Sequence, residues 1–167
     1  ATGRSINKER MKDQYVVLRA MAFLMLHRGE FKDIPALQYR GDIDDFLARF
    51  MVYVNDNAPE KLIVDYENLF IRCMQISYDL LGENGFRFSG NGIRRPINMP
   101  LFEALSYLFS FVPEKIDYTW ASRLILDIES VKEEFDDSRY FSGNIDSTTS
   151  VSFRFDRMDK IINRIQL

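Results

Sequence analysis

Three arginines lie close together in a stretch of the chain that carries no acidic residue. Arg87, Arg94 and Arg95 all fall between residues 84 and 102. The planar guanidinium group of arginine binds phosphates and carboxylates through paired hydrogen bonds. Asn98 stands at the expected start of a helix, where free backbone amides also attract anions. These four residues are therefore candidates for binding phosphate or the DNA backbone. An ordinary solvated loop, or arginines that pair with carboxylates of a neighbouring lobe, would give the same pattern.

A fourth arginine, Arg19, is the single charged residue in the apolar run from Tyr15 to Leu26. Burying it alone would cost several kcal/mol, so we expect a carboxylate or backbone partner elsewhere in the chain. Asp13 is a poor partner, because a spacing of six residues places it on another face of the same helix. Arg19 either forms a buried structural pair or faces an adjoining domain or ligand.

The remaining reactive side chains favour structural roles. The chain has one histidine and one cysteine, which excludes an internal disulfide or a Cys/His zinc site. His27 ends the first predicted helix, where a cation suits the helix dipole. Cys73 lies on an apolar helix face, which is typical of a buried thiol. We therefore assign no catalytic residue, no metal ligand and no cofactor to this chain.

Two further motifs resemble ligand sites only superficially. The glycine-rich residues 82–92 lack the Gly-Lys-Ser/Thr sequence and the preceding strand of phosphate-binding loops, so we interpret them as a connection. The acidic group at the end of the fifth predicted helix lacks the alternation of a calcium loop, which indicates a solvated helix end; it comprises Glu133, Glu134, Asp136 and Asp137.

The composition is that of a globular domain. The chain has 167 residues, of which 46% are hydrophobic and 28% charged, and its net charge is −3. This balance argues against a dedicated polybasic nucleic-acid or membrane binder, although a local basic patch fits it. The twelve-residue apolar run is shorter than the roughly 20 residues that a membrane-spanning helix needs. We expect a cytoplasmic protein with no membrane partner, and the oligomeric state is left open.

Apolar residues recur at three- and four-residue steps along most of the chain and predict about six helices. The expected fold is all-α, an irregular bundle whose first helix is long and largely buried. Residues 1–167 form one helical domain, with residues 82–98 as a Gly/Arg-containing connection that includes a short extended piece at 86–88. The helices are predicted at 6–28, from Asp42 to Val54, from Pro59 to Gly82, from Asn98 to Pro113, from Tyr118 to Phe135 and from Val151 to Ile165.

Several short motifs occur in an order that resembles a known family. They are Arg10-Met11-Lys12-Asp13, Leu18-Arg19, Ala22-Phe23, Arg94-Arg95-Pro96-Ile97-Asn98 and Leu101-Phe102-Glu103. In this order they resemble the helical half of the GmrSD-type restriction endonuclease N-terminal domain family, over most of residues 6–112. One position departs from the family pattern. Members often have an acid two residues after the aspartate that corresponds to Asp13, and this chain has Tyr15 there.

The resemblance implies a role in bacterial defence against phage. Family members pair the helical region with a ParB/sulfiredoxin-like lobe that carries an Asp-Gly-Gln-Gln-Arg motif, and they resemble proteins that act on modified DNA. This chain lacks that motif, so we expect a non-catalytic helical fragment of a larger protein, itself a nucleotide-dependent nuclease. Arg10, Asp13 and Arg19 would face the missing lobe or stabilise the first helix against it, and duplex DNA is a further expected partner. The competing hypothesis is a self-contained protein–protein interaction module with no DNA role.

Overall fold

The computed structural model describes residues 12–88, 94–136 and 143–165, and these contain α-helices and no strand. The helices are α1 (Lys12–His27), α2 (Ile43–Asp56), α3 (Glu60–Leu81), α4 (Met99–Phe109), α5 (Tyr118–Asp136) and α6 (Thr148–Ile165). Short 3-10 helices occur at Pro35–Leu37 and Gly82–Asn84. The predicted all-α bundle is confirmed.

Local sequence signals account for several helix ends. The side chain of Asp42 accepts a hydrogen bond from the Asp45 amide at 3.0 Å and caps α2. Asn98 caps α4 in the same way through the amide of Leu101, at 2.9 Å. Each bond satisfies one of the backbone donors that a helix start leaves unpaired. Gly29 follows α1 with a φ of 87°, a conformation that glycine adopts without strain.

Two local predictions were wrong. Phe86 lies in a turn and Arg87 in a bend rather than in an extended piece, and the Arg87 amide donates back to the Asn84 carbonyl at 3.1 Å. Helix α6 begins at Thr148, three residues before the predicted start. The hydroxyl of Ser147 accepts the Ser150 amide at 3.1 Å and supplies a cap for that earlier start. Residues 6–11 of the predicted first helix lie outside the described residues.

Helix α4 occupies the centre of the bundle. Every residue from Pro100 to Phe109 is buried, and α4 packs against α1, α3 and α6. A helix that is buried all round lies at the centre of its fold, whereas an amphipathic helix lies at the edge. The broad buried face of α1 packs on α4, as its pattern predicts. This arrangement brings polar residues of α1, α4 and α6 together inside the core.

Candidate functional site

Three buried charges from three helices meet at the centre of the fold. Glu103 on α4 and Arg154 on α6 have no exposed surface, and Arg19 on α1 is 3% exposed. The Nε atom of Arg19 donates to Glu103 Oε1 at 2.6 Å, and Arg154 Nη2 donates to Glu103 Oε2 at 3.1 Å. One carboxylate therefore joins two guanidinium groups and holds three helices in a fixed register. We call Arg19, Glu103, Arg154 and Asp146 the buried charge network.

Asp146, in the segment before α6, supplies the second carboxylate of the network. Arg19 Nη2 donates to Asp146 Oδ1 at 2.6 Å. The hydroxyl of Tyr39 donates to the Asp146 carbonyl, and Arg154 donates to the carbonyl of Ile145. These bonds fix the segment before α6 against α1. Two guanidinium groups face two carboxylates, so the charges of the buried charge network balance.

Burial and ion pairing act on these groups in opposite directions. Burial raises the pKa of the Glu103 carboxyl above its ordinary value, although Arg19 and Arg154 oppose the rise. Burial would lower the pKa of Arg19, but Glu103 and Asp146 outweigh it and the net pKa is raised. In such a network the removal of one partner leaves an uncompensated charge in the low-dielectric core, which destabilises the fold. The geometry therefore fits a structural role.

His27 lies at the end of α1 in an aromatic environment. Its ring stacks on Phe155 with centroids 3.5 Å apart and an interplanar angle of 7°. Burial, reinforced by the positive charge of Arg154, lowers the pKa of His27 to about 4 from its ordinary 6.5. Its Nε2 atom is buried and has no hydrogen-bond partner among the described residues. The ring is therefore neutral and partly buried at pH 7, and the predicted interaction of a histidine cation with the α1 dipole is absent.

We expect the stability of the fold to depend on the protonation of His27. Because its pKa is lower in the folded chain, the unfolded chain binds more protons between pH 6.5 and 4, and stability falls as the pH falls through that range. The free energy of unfolding should decrease by about 2 kcal/mol between neutral pH and pH 5. Urea denaturation at several pH values measures this. His27→Gln should remove that slope, and an unchanged slope in this variant would contradict the assignment.

The structure separates the predicted anion-binding residues. Arg87 is 5% exposed, and its guanidinium donates to the carbonyls of Glu83 and Arg95. Arg94 and Arg95 remain at the surface, where Arg94 pairs with Glu83 at 3.1 Å and Arg95 pairs with Asp136. Arg87 is thus a correction to the predicted set, because its guanidinium supports the turn after α3 and does not face solvent.

The three other predicted site residues are Asn98, Asp13 and Arg10. The side chain of Asn98 is engaged as the cap of α4. Asp13 accepts the amide of Gln14 at 3.0 Å, and the carboxylate partners of Arg19 lie on other elements. Arg10 lies outside the described residues.

Within the described residues, neither Cys73 nor the acidic group at the end of α5 forms a metal site or an activated nucleophile. Cys73 is buried, and burial raises the pKa of its thiol to about 12. Glu134 pairs with Arg157, and Asp136 pairs with Arg95; Asp137 lies outside the described residues. No group of three or more His, Cys, Asp or Glu side chains within those ranges is placed to hold a metal ion.

An open groove runs beside the end of α3. It has a volume of about 770 Å³. The α3 side chains Phe70, Met74 and Tyr78 line it, together with Phe86 from the following turn and Ile97 from the segment before α4. The Arg94–Glu83 ion pair lies at the same groove. We call this the α3 groove.

Comparison with known proteins adds no relative. No protein-family model, curated protein or solved structure matches this chain. Of the described helices, none combines the length and apolar character needed to cross a membrane. The resemblance to GmrSD-type proteins therefore stays a prediction.

Sequence reasoning missed Glu103, Asp146 and Arg154 as partners of Arg19. Glu103 could have been found, because it is the single charge among the apolar residues of α4, just as Arg19 is in the apolar run from Tyr15 to Leu26. Asp146 stands in a polar segment and gives no such signal. The α3 groove was also missed, since its lining comes from separate parts of the chain.

Proposed function

We propose that this chain is the helical lobe of a bacterial DNA-processing protein of the GmrSD restriction type, and that it supports an adjacent nucleotide- or DNA-acting lobe. The observation that supports this proposal is that the reactive side chains are engaged in contacts within the fold. The buried charge network uses its arginines and carboxylates to hold α1, α4 and α6 together. His27 is partly buried and neutral at pH 7, and the Cys73 thiol is buried. These groups support a scaffold better than a catalytic centre.

A turnover assay tests the scaffold proposal. The purified chain, incubated with nucleoside triphosphates, divalent cations and excess modified duplex DNA, should release no phosphate and leave the DNA intact. Assays with protein in excess over DNA would reveal even one cleavage event per molecule. Cleavage or hydrolysis that scales with the amount of chain and is lost on heat denaturation would contradict the proposal.

DNA contact is the second part of the proposal and is supported by Arg94 and Arg95. The two residues are neighbours in the sequence, their side chains are partly exposed, and each pairs with a carboxylate at the surface. Surface ion pairs contribute at most about 1 kcal/mol, so a phosphate can replace the carboxylate at low cost. The two arginines can contact phosphates in a sequence-independent way, which is how proteins position themselves on duplex DNA.

We expect duplex DNA binding to depend on salt through these two arginines. The double variant Arg94→Ala/Arg95→Ala should reduce the slope of log K against log salt by about 1.8, because each lost phosphate contact removes about 0.9. The matched control is Lys115→Ala/Arg123→Ala, which removes the same charge from two other exposed positions. Equal slopes for the two variants would place any DNA contact elsewhere.

The alternative is a self-contained protein–protein interaction module with no DNA role. The α3 groove favours it, because an uncovered apolar surface is typical of sites where another protein docks. The salt series separates the two hypotheses. Absence of DNA binding at low salt would remove the DNA role and leave the interaction module.

A further inference from the structure

Helix α3 carries a row of exposed apolar side chains. Val64, Ile71 and Tyr78 are spaced seven residues apart, so they lie along one face of the helix. Ile71 is 58% exposed, Tyr78 is 59% exposed and Val64 is 45% exposed. At 1.5 Å per residue the row is about 21 Å long. We call these three residues the α3 stripe.

The α3 stripe continues into the α3 groove. Ile71 and Tyr78 belong to both, and Phe70 and Met74 extend the apolar surface to one side. Phe86 and Ile97 form the opposite part of the lining. The surface is therefore an elongated apolar strip with a depression along one edge. Amphipathic helices bind to such surfaces through side chains at positions i, i+3, i+4 and i+7.

The charges beside the stripe are mainly acidic. Four exposed carboxylates lie on α3, at Glu60, Asp65, Glu67 and Asp79. The two cations of the helix are already engaged, since Lys61 pairs with Asp65 and Arg72 donates to the carbonyl of Val112. Glu67 lies between Val64 and Ile71 on the same helix face. The Arg94–Glu83 and Lys61–Asp65 pairs are neutral, so Glu60, Glu67 and Asp79 leave a net negative charge along the α3 stripe.

This charge distribution favours some possible binding partners of the surface over others. A second copy of α3 would place carboxylates against carboxylates, and juxtaposed like charges disfavour a complex. A DNA backbone lying along the α3 stripe itself would meet the same repulsion from Glu60 and Glu67. We propose that the α3 stripe and α3 groove bind an amphipathic helix of a partner protein whose apolar face is flanked by lysine or arginine. This inference rests on the proposed role of the chain as a supporting lobe and gives the chemistry of its docking surface.

Peptide binding tests the inference. The probe is a synthetic amphipathic helix of about five turns, with leucine at heptad spacing on one face and lysine beside it. A second peptide has glutamate at each lysine position, and a third has the residues of the first in scrambled order. Fluorescence anisotropy should show the lysine peptide binding at least about tenfold more tightly than either of the others at low salt.

Matched variants locate the surface. Val64→Ser/Ile71→Ser should weaken binding of the lysine peptide by about tenfold or more, whereas Leu126→Ser, at a 71% exposed position on α5, should leave it unchanged. Both variants keep the net charge, so the DNA salt series should not change. Equal binding of the lysine and glutamate peptides, or full binding by the stripe variant, would overturn the inference. Self-association abolished by Val64→Ser/Ile71→Ser would overturn it in favour of a second copy.

Arg94 borders the α3 groove, so the peptide experiments vary Val64 and Ile71 instead, and the two proposals can fail separately. Loss of peptide selectivity with an intact dependence of DNA binding on Arg94 and Arg95 would overturn the docking inference alone. Selective peptide binding without DNA binding would remove the DNA role and leave the docking surface in place.

Discussion

Replacement of Glu103 by glutamine is expected to destabilise the fold by about 3–5 kcal/mol. The variant keeps the shape of the side chain and removes the charge that both Arg19 and Arg154 contact. Arg19 retains Asp146, but the core then holds one more positive charge than negative. Urea denaturation followed by far-UV circular dichroism measures the change. Glu114→Gln, at an exposed position between α4 and α5, is the control and should change stability by less than about 0.5 kcal/mol.

A second variant tests whether charge imbalance is the cause. Arg19→Met/Glu103→Leu/Arg154→Met replaces the three most buried charges by apolar side chains of comparable size. Apolar replacement of whole buried ion pairs is often neutral or stabilising, so this variant should recover most of the stability that Glu103→Gln loses. Asp146 is partly exposed and can be solvated when Arg19 is replaced. A stability of Glu103→Gln equal to that of the unmodified chain would contradict the structural role of the buried charge network.

Replacement of Phe23 by alanine should also cost about 3–5 kcal/mol. Phe23 on α1 has no exposed surface. Its ring contacts Tyr39, Phe46 and Phe155, with centroid distances of 5.2, 5.4 and 5.6 Å. These rings come from separate elements, so no single neighbour can move to fill the space without losing its own contacts. The cost therefore includes a cavity term in addition to the lost burial.

The control for this cavity is Tyr118→Ala. Tyr118 is an aromatic residue of similar size at the start of α5, and it is almost fully exposed, so its loss should change the free energy of unfolding little. Both variants should show the same dependence of unfolding free energy on urea concentration as the unmodified chain. A small effect of Phe23→Ala would show that the aromatic cluster rearranges and that the packing around α1 is looser than described.

The helices were predictable because their signals are local. The caps at Asp42 and Asn98 and the glycine after α1 each act within a few residues. The periodicity of apolar residues is likewise a property of one segment. The position of α4 at the centre depends on how the segments pack. The single charge of α4, Glu103, indicates that this helix is buried, but only when Arg19 is considered as its ion-pair partner.

The candidate site was predictable only in part, because its contacts join distant segments. Arg19 and Glu103 are 84 residues apart in the chain, and Arg19 and Asp146 are 127 apart. The apolar run around Arg19 predicts that it needs a partner, but it carries no information on which carboxylate reaches it. The position of Arg87 could not be predicted for the same reason. The sequence around it contains no acidic residue, which predicted a cation exposed to solvent. The turn after α3 instead directs it to backbone carbonyls.

The most direct test of the proposed role in DNA processing is hydrogen exchange of the chain with and without duplex DNA at low salt. We expect slower exchange at the amides from Arg94 to Leu101, where the surface arginines precede α4, and no change in the first half of α3. That result would place the DNA backbone at Arg94 and Arg95 and leave the α3 stripe for a protein partner. Protection centred on α3, or unchanged exchange throughout while the DNA is bound, would contradict DNA contact through Arg94 and Arg95.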